Sequence, residues 1–568
     1  MAVMARPMAV WKAAPDPEVA LVEAARNLDP RLRRLLARRG LENQEDMRRF
    51  LEPSLSDLHR PQLLAGLPEA VARLLAARER GEKVAIVGDY DVDGVSATAV
   101  LLAVFRACGL EADSTLPHRM AEGYGFQPIH VERAQAAGAR LIVTADCGSR
   151  SIEAARIALE RDISVIVTDH HIPGPPHDPR VIEINPHQEA CGYPYPELSG
   201  AGLAFKLATG LAEAVGRDVD PMALLRVACL GTIADLVPLT GENRTIAALG
   251  LSALDSTRSA GLKALIEVSG ARHPITADDV GFRLGPRLNA AGRMDKPEPA
   301  LELLLERDPV RARELAETLD RWNKERQRAE LSVVEEARAR FLDGGAGLPR
   351  FLMAWSPDWH RGVLGIAAGR LAREFHRPTV LMSLHKDGKA EIAVGSGRSV
   401  REVDLHEFLT AFEGRFLRFG GHAQAIGISI AAERLEEINL ACQEAAKAWD
   451  PEVLVPSYEY EEHLEVEMVT LDLERELGRL EPFGMANRRP LFRLGPLSLA
   501  VPPRPFGKNH LGLRARDRSG ATLDLVAWRW AERAELFSEP FEVLGHVKLD
   551  SYLGRASVEI VDARAASV

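Results

Sequence analysis

The chain has 568 residues, 46% of them apolar and 5% aromatic, with 71 basic against 82 acidic side chains and a formal net charge of −11. That length is too great for one core and implies about three or four domains, while no window reaches the roughly 18–20 uninterrupted apolar residues of a membrane span. The start has no apolar secretory stretch, and Cys108, Cys147, Cys191, Cys229 and Cys442 show no CxxC spacing, which excludes a disulfide framework and a zinc knuckle and leads one to expect a reducing cytoplasm.

Residues 1–65 read as a helical extension of short polar helices without a sheet signal. From 66 onward apolar runs alternate with helical patterns: KVAIVGD before VSATAVLLAVFRA, RLIVTAD before SIEAARIALE, then SVIVTDHH. Strands alternating with helices imply parallel βαβ units, and continuously apolar runs suit strands buried on both faces. This α/β domain is expected over 66–307. Residues 308–343 hold no glycine and a single proline at the start, so one connecting helix of roughly 45–50 Å is predicted there. LDGGAGLP (342–349) stops it. A second α/β domain follows over 350–447, with strand candidates PTVLMS, AEIAVGS and AIGISIA. After the linker WDPEVLVPSY (449–458), residues 455–568 read as a small all-β barrel with strand candidates LEVEMV, HLGLRARD, ATLDLVAW, FEVLGHVKL and ASVEIVDA. Within it, residues 488–518 carry eight basic side chains against Asp517 alone.

The chemistry gathers where the first strands end. KVAIVG runs into DYDVDG, holding Asp89, Asp91 and Asp93; LIVTA ends at Asp146; SVIVT ends at Asp169-His170-His171. Asp235 interrupts the apolar helical stretch CLGTIADLVPL. Open α/β sheets place ligands at the carboxyl ends of their strands. Carboxylates so clustered repel one another unless a cation lies between them, and a buried unpaired carboxylate is costly. Several carboxylates with one or two imidazoles and no thiolate favour Mn²⁺ or Mg²⁺ over Zn²⁺. More than four ligands suggest two ions sharing a bridging carboxylate, the arrangement that hydrolyses phosphoesters.

Together DYDVDG, Asp146, the DHH triplet and Asp235 in GTIADLVPL resemble the four motifs of the DHH phosphoesterase family, most closely its single-stranded-DNA-specific exonucleases. The resemblance runs from FLEPSLSDLHRP (50–61) through PHRMAEGYG (117–125), LSGAGLAFKL (198–207), GFRLGPRLNAAGRM (281–294), WHRGVLGIAAGRL (359–371), GSGRS (395–399) and FGGHAQAIG (419–427) to LEPFGMANRRPLF (480–492). It implies that Asp89, Asp91, Asp93, Asp146, His170 and Asp235 hold two Mn²⁺ or Mg²⁺ ions, with Asp146 the bridge and His171 beside the scissile phosphate. GSGRS and GGH are similar to a DHHA1 domain, in which Ser396, Arg398 and His422 would bind the substrate near its 5′ phosphate. Arg119 would contact phosphate and Tyr124 would stack on a base, while Arg287 or Arg293 would meet the phosphate near the cut. The last domain resembles an OB-fold, which binds single strands through a charged groove with aromatic platforms; Phe492, Phe506 and His510 are the platform candidates. Arg488-Arg489 and DSYLG (550–554) depart from the family pattern, both outside the metal motifs.

The implied activity is processive 5′–3′ degradation of single-stranded DNA to mononucleotides in DNA repair and recombination, beside a helicase and a single-strand-binding protein. A monomer is expected, since no heptad pattern or exposed apolar stripe calls for an oligomer. Two alternatives stay open: hydrolysis of short oligonucleotides or cyclic dinucleotides, against which the terminal barrel counts, and a non-catalytic DNA-binding scaffold, against which the full ligand set counts.

Overall fold

Five strands rich in β-branched residues, which favour pleated and buried surfaces, open the first α/β region: β1 (Lys83–Gly88), β2 (Ala112–Thr115), β3 (Ala139–Ala145), β4 (Ser164–Thr168) and β5 (Ile182–Ile184). They pair in parallel in the order β2-β1-β3-β4-β5. The order reverses between β1 and β3, so the crevice of such a sheet opens at their carboxyl ends. The computed structural model describes residues 9–17, 28–41, 43–118, 122–123, 125–343, 347–387, 390–550 and 554–566. The chain divides into two units, one of residues 16–323 and 475–489, the other of residues 1–15, 324–474 and 490–568.

In the first unit α1 (Val92–Ala107) is buried along nearly its whole length, from Val92 to Phe105. A helix apolar all round belongs inside a protein; α1 packs against α2 (Gly200–Val215) and α3 (Pro221–Ala234), and α4 (Gly241–Asp255) packs against α3. A buried ion pair braces this core: Lys206 and Glu242 are each 1% exposed, and Lys206 Nζ also donates to the His59 carbonyl at 2.6 Å. The stretch LEPFGMAN belongs to this unit. Arg244 lies 3.5 Å from the Phe50 ring and donates to the carbonyls of Phe50, Leu480 and Glu481 at 2.8, 3.0 and 2.7 Å. Asn487 Nδ2 donates to the carbonyls of Leu480 and Pro482, each at 2.8 Å.

Helix α5 (Gly285–Met294) follows, then the long α6 (Pro309–Leu342). Proline is tolerated in its first turn, and Asp308 caps it, accepting from the N–H groups of Val310 and Arg311 at 2.8 and 2.9 Å. Ala312, Leu315, Ala316 and Leu319 enter the core of the first unit, and Val333, Val334, Ala337 and Phe341 enter a core of the second. Leu331, apolar and on the same helix, is 42% exposed. The second unit holds a five-stranded sheet in the order β9-β10-β8-β7-β6, from β6 (Leu352–Ser356), β7 (Thr379–Asp387), β8 (Ala390–Arg398), β9 (Arg418–His422) and β10 (Ala425–Ala431). Only β6 and β7 pair in parallel.

The barrel is built from β11 (Phe492–Leu499), β12 (Arg504–Phe506), β13 (His510–Arg516), β14 (Thr522–Ala527), β15 (Phe541–Asp550) and β16 (Arg555–Ala565). The order β11-β15-β16-β14-β13-β12 closes through β11 and β13, as a partly open OB-type barrel does, with β12 paired on one side to β13. Three expectations need correction. LEVEMV contains a 3₁₀ turn at Val466–Met468 instead of a strand. The N-terminal stretch does contribute to a sheet, because Val10–Ala13 pairs in parallel with Ser457–Tyr460. Phe492 is fully buried in the barrel and cannot stack on a base. Of the DSYLG departure, residues 551–553 lie outside the described residues. Among the described residues no helix is long and apolar enough to cross a membrane.

Candidate metal centre

The loop after β1 places Asp89, then Asp91, which caps α1 by accepting from the N–H groups of Asp93 and Gly94 at 3.0 and 3.1 Å. Asp93 lies in the first turn of α1. Its two oxygens accept from the first N–H groups of α2, Gly200 at 2.7 Å and Ala201 at 2.9 Å, donors that helix geometry leaves unsatisfied. Asp146 follows β3 in a left-handed conformation, φ 65°, with its N–H bonded to the Thr168 carbonyl at 3.0 Å. Asp235 is the residue that ends α3.

These side chains converge on His170, which follows β4. Its Nε2 stands 3.1 Å from Asp146 Oδ1, 3.5 Å from Asp235 Oδ2 and 3.8 Å from Asp93 Oδ2. Three sets of ligand atoms each fit within 4.8 Å: Asp89, Asp91 and Asp146; Asp146, His170 and His171; Asp93, His170 and Asp235. Two glycines make the approach possible. A Cβ on Gly200 would lie 2.4 Å from Asp146 Oδ1, and one on Gly231 would lie 2.3 Å from Asp93 Oδ1.

The electrostatics require a cation. Burial, and then the charge of Asp91, push Asp93 up to about 7. Burial, followed by the carboxylates of Asp93, Asp91 and Asp89, pushes Asp235 up to about 9. The same kinds of cause hold Asp146 well above the usual carboxylate range, and burial pushes His170 down to about 3. Asp146 Oδ1 and His170 Nε2 are buried and neither has a hydrogen-bond partner among the described residues. Buried polar atoms are normally paired. Carboxylate oxygens and an imidazole nitrogen, drawn together at mutual cost, are the donor set of Mn²⁺ or Mg²⁺, so the residues fit that group.

His171 differs from His170 in its partner. Burial opposes its protonated form, but the Asp169 carboxylate, 2.7 Å from Nδ1, raises its pKa overall. Asp169 also accepts from the Ser149 N–H at 2.9 Å, and Asn185 Nδ2 donates to the His171 carbonyl at 2.8 Å. Sequence reasoning missed Ser149, Asn185, Gly200 and Gly231 as supports. The two glycines stood inside motifs already singled out, whereas nothing in the sequence marked Ser149 or Asn185.

The other candidates separate. Arg293 lies in the last turn of α5 beside Gly292, where a Cβ would lie 2.9 Å from the carbonyl of Tyr90, between Asp89 and Asp91. Arg287 is engaged elsewhere: its Nε and a terminal nitrogen reach Asp320 Oδ1 at 3.0 and 2.9 Å. Arg119 and Tyr124 lie outside the described residues. In the second unit Ser396 and Arg398 share β8, and Arg398 and His422 flank Ala425 on one rung, Arg398–Ala425–His422. On the barrel, Phe506, His510 and Trp528 form a ring cluster with centroids 4.9–5.6 Å apart, Phe506 being 36% and Trp528 48% exposed. Trp528 was not foreseen. Arg504, Lys508, Arg516 and Arg518 are exposed, whereas Arg493 is tied to Glu542.

Known proteins resemble this chain along most of its length. Family profiles match for the DHH family N-terminal domain over residues 83–232, the DHHA1 domain over 348–448 and the RecJ OB domain over 460–561. The single-stranded-DNA-specific exonuclease RecJ of Bacillus subtilis is 35% identical over 542 residues, covering 94% of this chain and 68% of that one. The crystal structure of Thermus thermophilus RecJ with Mn²⁺ superposes with a TM-score of 0.82 at 30% identity, covering 99% of this chain and 80% of that one. The same Thermus protein with Mg²⁺ gives 0.77 at 28% identity, over 99% and 79%.

Proposed function

The chain belongs to the RecJ family, and we propose that it is a single-stranded-DNA-specific exonuclease that works from the 5′ end and releases 5′-mononucleotides in DNA repair and recombination. The observation that carries this reading is the convergence of Asp89, Asp91, Asp93, Asp146, Asp235 and His170 at the carboxyl end of the parallel sheet, with Asp146 common to two of the three ligand sets. When bound there, two Mn²⁺ or Mg²⁺ ions would lower the pKa of water and offset charge on the phosphodiester. The residues do the rest. Asp146 serves both halves of the site, and its fixed backbone keeps the halves in register. Asp93 is held by two helix N–H groups and so presents its carboxylate without rotating. Asp169 orients the His171 ring beside the position of the scissile phosphate, and Arg293 supplies a guanidinium there, whose planar fork suits phosphate oxygens.

Ser396, Arg398 and His422 bind the substrate near its 5′ phosphate, and the barrel holds single-stranded DNA through its cations and the Phe506, His510 and Trp528 rings. Stacking on such rings tolerates any base. The working partners are a helicase and a single-strand-binding protein, the protein acts as a monomer, and its place is the cytoplasm.

The direct test gives the protein Mn²⁺ with 5′-phosphorylated and 3′-labelled single strands. Mononucleotides should appear from the 5′ end. Equal activity on duplex, or cutting only from the 3′ end, overturns the reading. Asp146→Ala should abolish cleavage and largely keep DNA binding; surviving cleavage would remove Asp146 from the role of bridge.

A further inference from the structure

Helix α3 ends at Ala234, Asp235 caps it, and Leu236 follows with φ 62°. This is the position after a helix cap where glycine is usual, because a Cβ is strained there. The loop beyond is pinned. The Leu239 N–H donates to the Met485 carbonyl at 2.8 Å, and the Pro238 carbonyl accepts from the Tyr195 hydroxyl at 3.1 Å and from Asn243 Nδ2 at 3.2 Å. A leucine forced into this conformation ordinarily repays it by packing, yet the Leu236 side chain is 64% exposed. Folding therefore gives no reason for leucine in place of glycine, and strain retained without packing points to function.

The location supplies a reason. Leu236 is one peptide from Asp235, whose Oδ2 is 3.5 Å from His170 Nε2. Ile172, one residue past His171, is 58% exposed. Two large exposed apolar residues thus follow directly on two residues of the metal centre, Asp235 and His171. Deoxyribose and base offer apolar faces that neither a carboxylate nor an imidazole can bind. We propose that Leu236, with Ile172, is a substrate-contacting residue that packs on the apolar face of the nucleotide whose phosphate lies at the metal centre. The proposal rests on the exonuclease reading above and adds to it the contact that seats the sugar and base.

The test uses the full chain with Mn²⁺ and a short 5′-phosphorylated single-stranded oligodeoxynucleotide. Leu236→Ala keeps the β-carbon and the backbone strain but removes the apolar surface beyond it, so KM should rise about tenfold while kcat changes less than about twofold. Mn²⁺ affinity, read by electron paramagnetic resonance, should equal that of the parent. Leu236→Gly should raise KM equally and also raise Tm, since glycine adopts this φ freely. Leu236→Met should restore the parent KM, and Ile172→Ala should raise it. An unchanged KM in both Leu236→Ala and Leu236→Gly overturns the proposal. So does a loss of Mn²⁺ affinity matching the loss of turnover, because Leu236 would then serve Asp235 instead of the substrate. A parent protein that leaves single strands uncut refutes the exonuclease reading itself, a result distinct from either.

Discussion

Gly200→Ala tests how the metal centre is assembled. A Cβ at this position would stand 2.4 Å from Asp146 Oδ1 and 2.6 Å from its Cβ and Cγ, where real Cβ atoms keep at least 3.0 Å. Something must therefore yield by about 0.6 Å. Rotating the carboxylate does not suffice, because the Asp146 Cβ is crowded as well. Asp146 is itself held, left-handed and bonded to Thr168, so the start of α2 must move. That start carries the two N–H groups that fix Asp93, and one methyl group thus displaces two ligands. Overpacking of this kind costs about 1–3 kcal/mol. Disturbed ligand supports cost roughly 10–100-fold in metal affinity, and a displacement near 1 Å costs about a hundredfold in turnover. Mn²⁺ titration by electron paramagnetic resonance, hydrolysis of labelled single strands and urea unfolding measure the three effects. Gly202→Ala, in the same turn, meets its nearest neighbours at 3.4 Å and should bind Mn²⁺ and cut like the parent. If Gly200→Ala does so too, the crowding argument is wrong.

Lys206→Met leaves Glu242 buried and without its cation, and should cost about 3–5 kcal/mol in urea unfolding; adding Glu242→Gln should recover more than half, and a single-variant loss below about 1 kcal/mol would show the pair to be unimportant. Trp528→Ala should weaken single-strand binding by about 1–3 kcal/mol, measured by fluorescence anisotropy, and unchanged affinity would remove the barrel cluster from the DNA path. Glu122 is held down to about 2 by its hydrogen bonds to Arg133, against burial and with help from His130. A carboxyl depressed in the folded state adds stability above its ordinary pKa of 4.5 and loses it as pH falls toward 2. Glu122→Gln should therefore flatten the acid side of the stability curve across that window, and identical acid slopes would count against the pairing.

Much of this molecule is legible in its sequence because the signals are local. KVAIVG, RLIVTA and SVIVT are strands since no other arrangement buries such β-branched runs, and their ends fix where Asp89, Asp146 and the DHH triplet emerge. The glycine-free stretch after Asp308 is one helix for the same local reason. Phe492 and Leu331 show the limit of that logic: both are apolar in a plausible pattern, but which face a neighbouring element covers decides that one is buried and the other exposed. Arg287 and Arg293 are equivalent in GPRLNAAGR until Asp320, on a different helix, claims the first.

The sequence by itself determined the ligand types, their places at strand and helix ends, and the kind of ion they suit, since these follow from residue chemistry and backbone period. Only the tertiary structure decided that Gly200 and Gly231 open the space the carboxylates occupy, that the Ser149 N–H holds Asp169, and that LEPFGMAN returns to pin the loop after Asp235. Those relations join residues from about 20 to more than 200 positions apart. Contacts of that range depend on how helices and strands pack and leave no periodic trace along the chain.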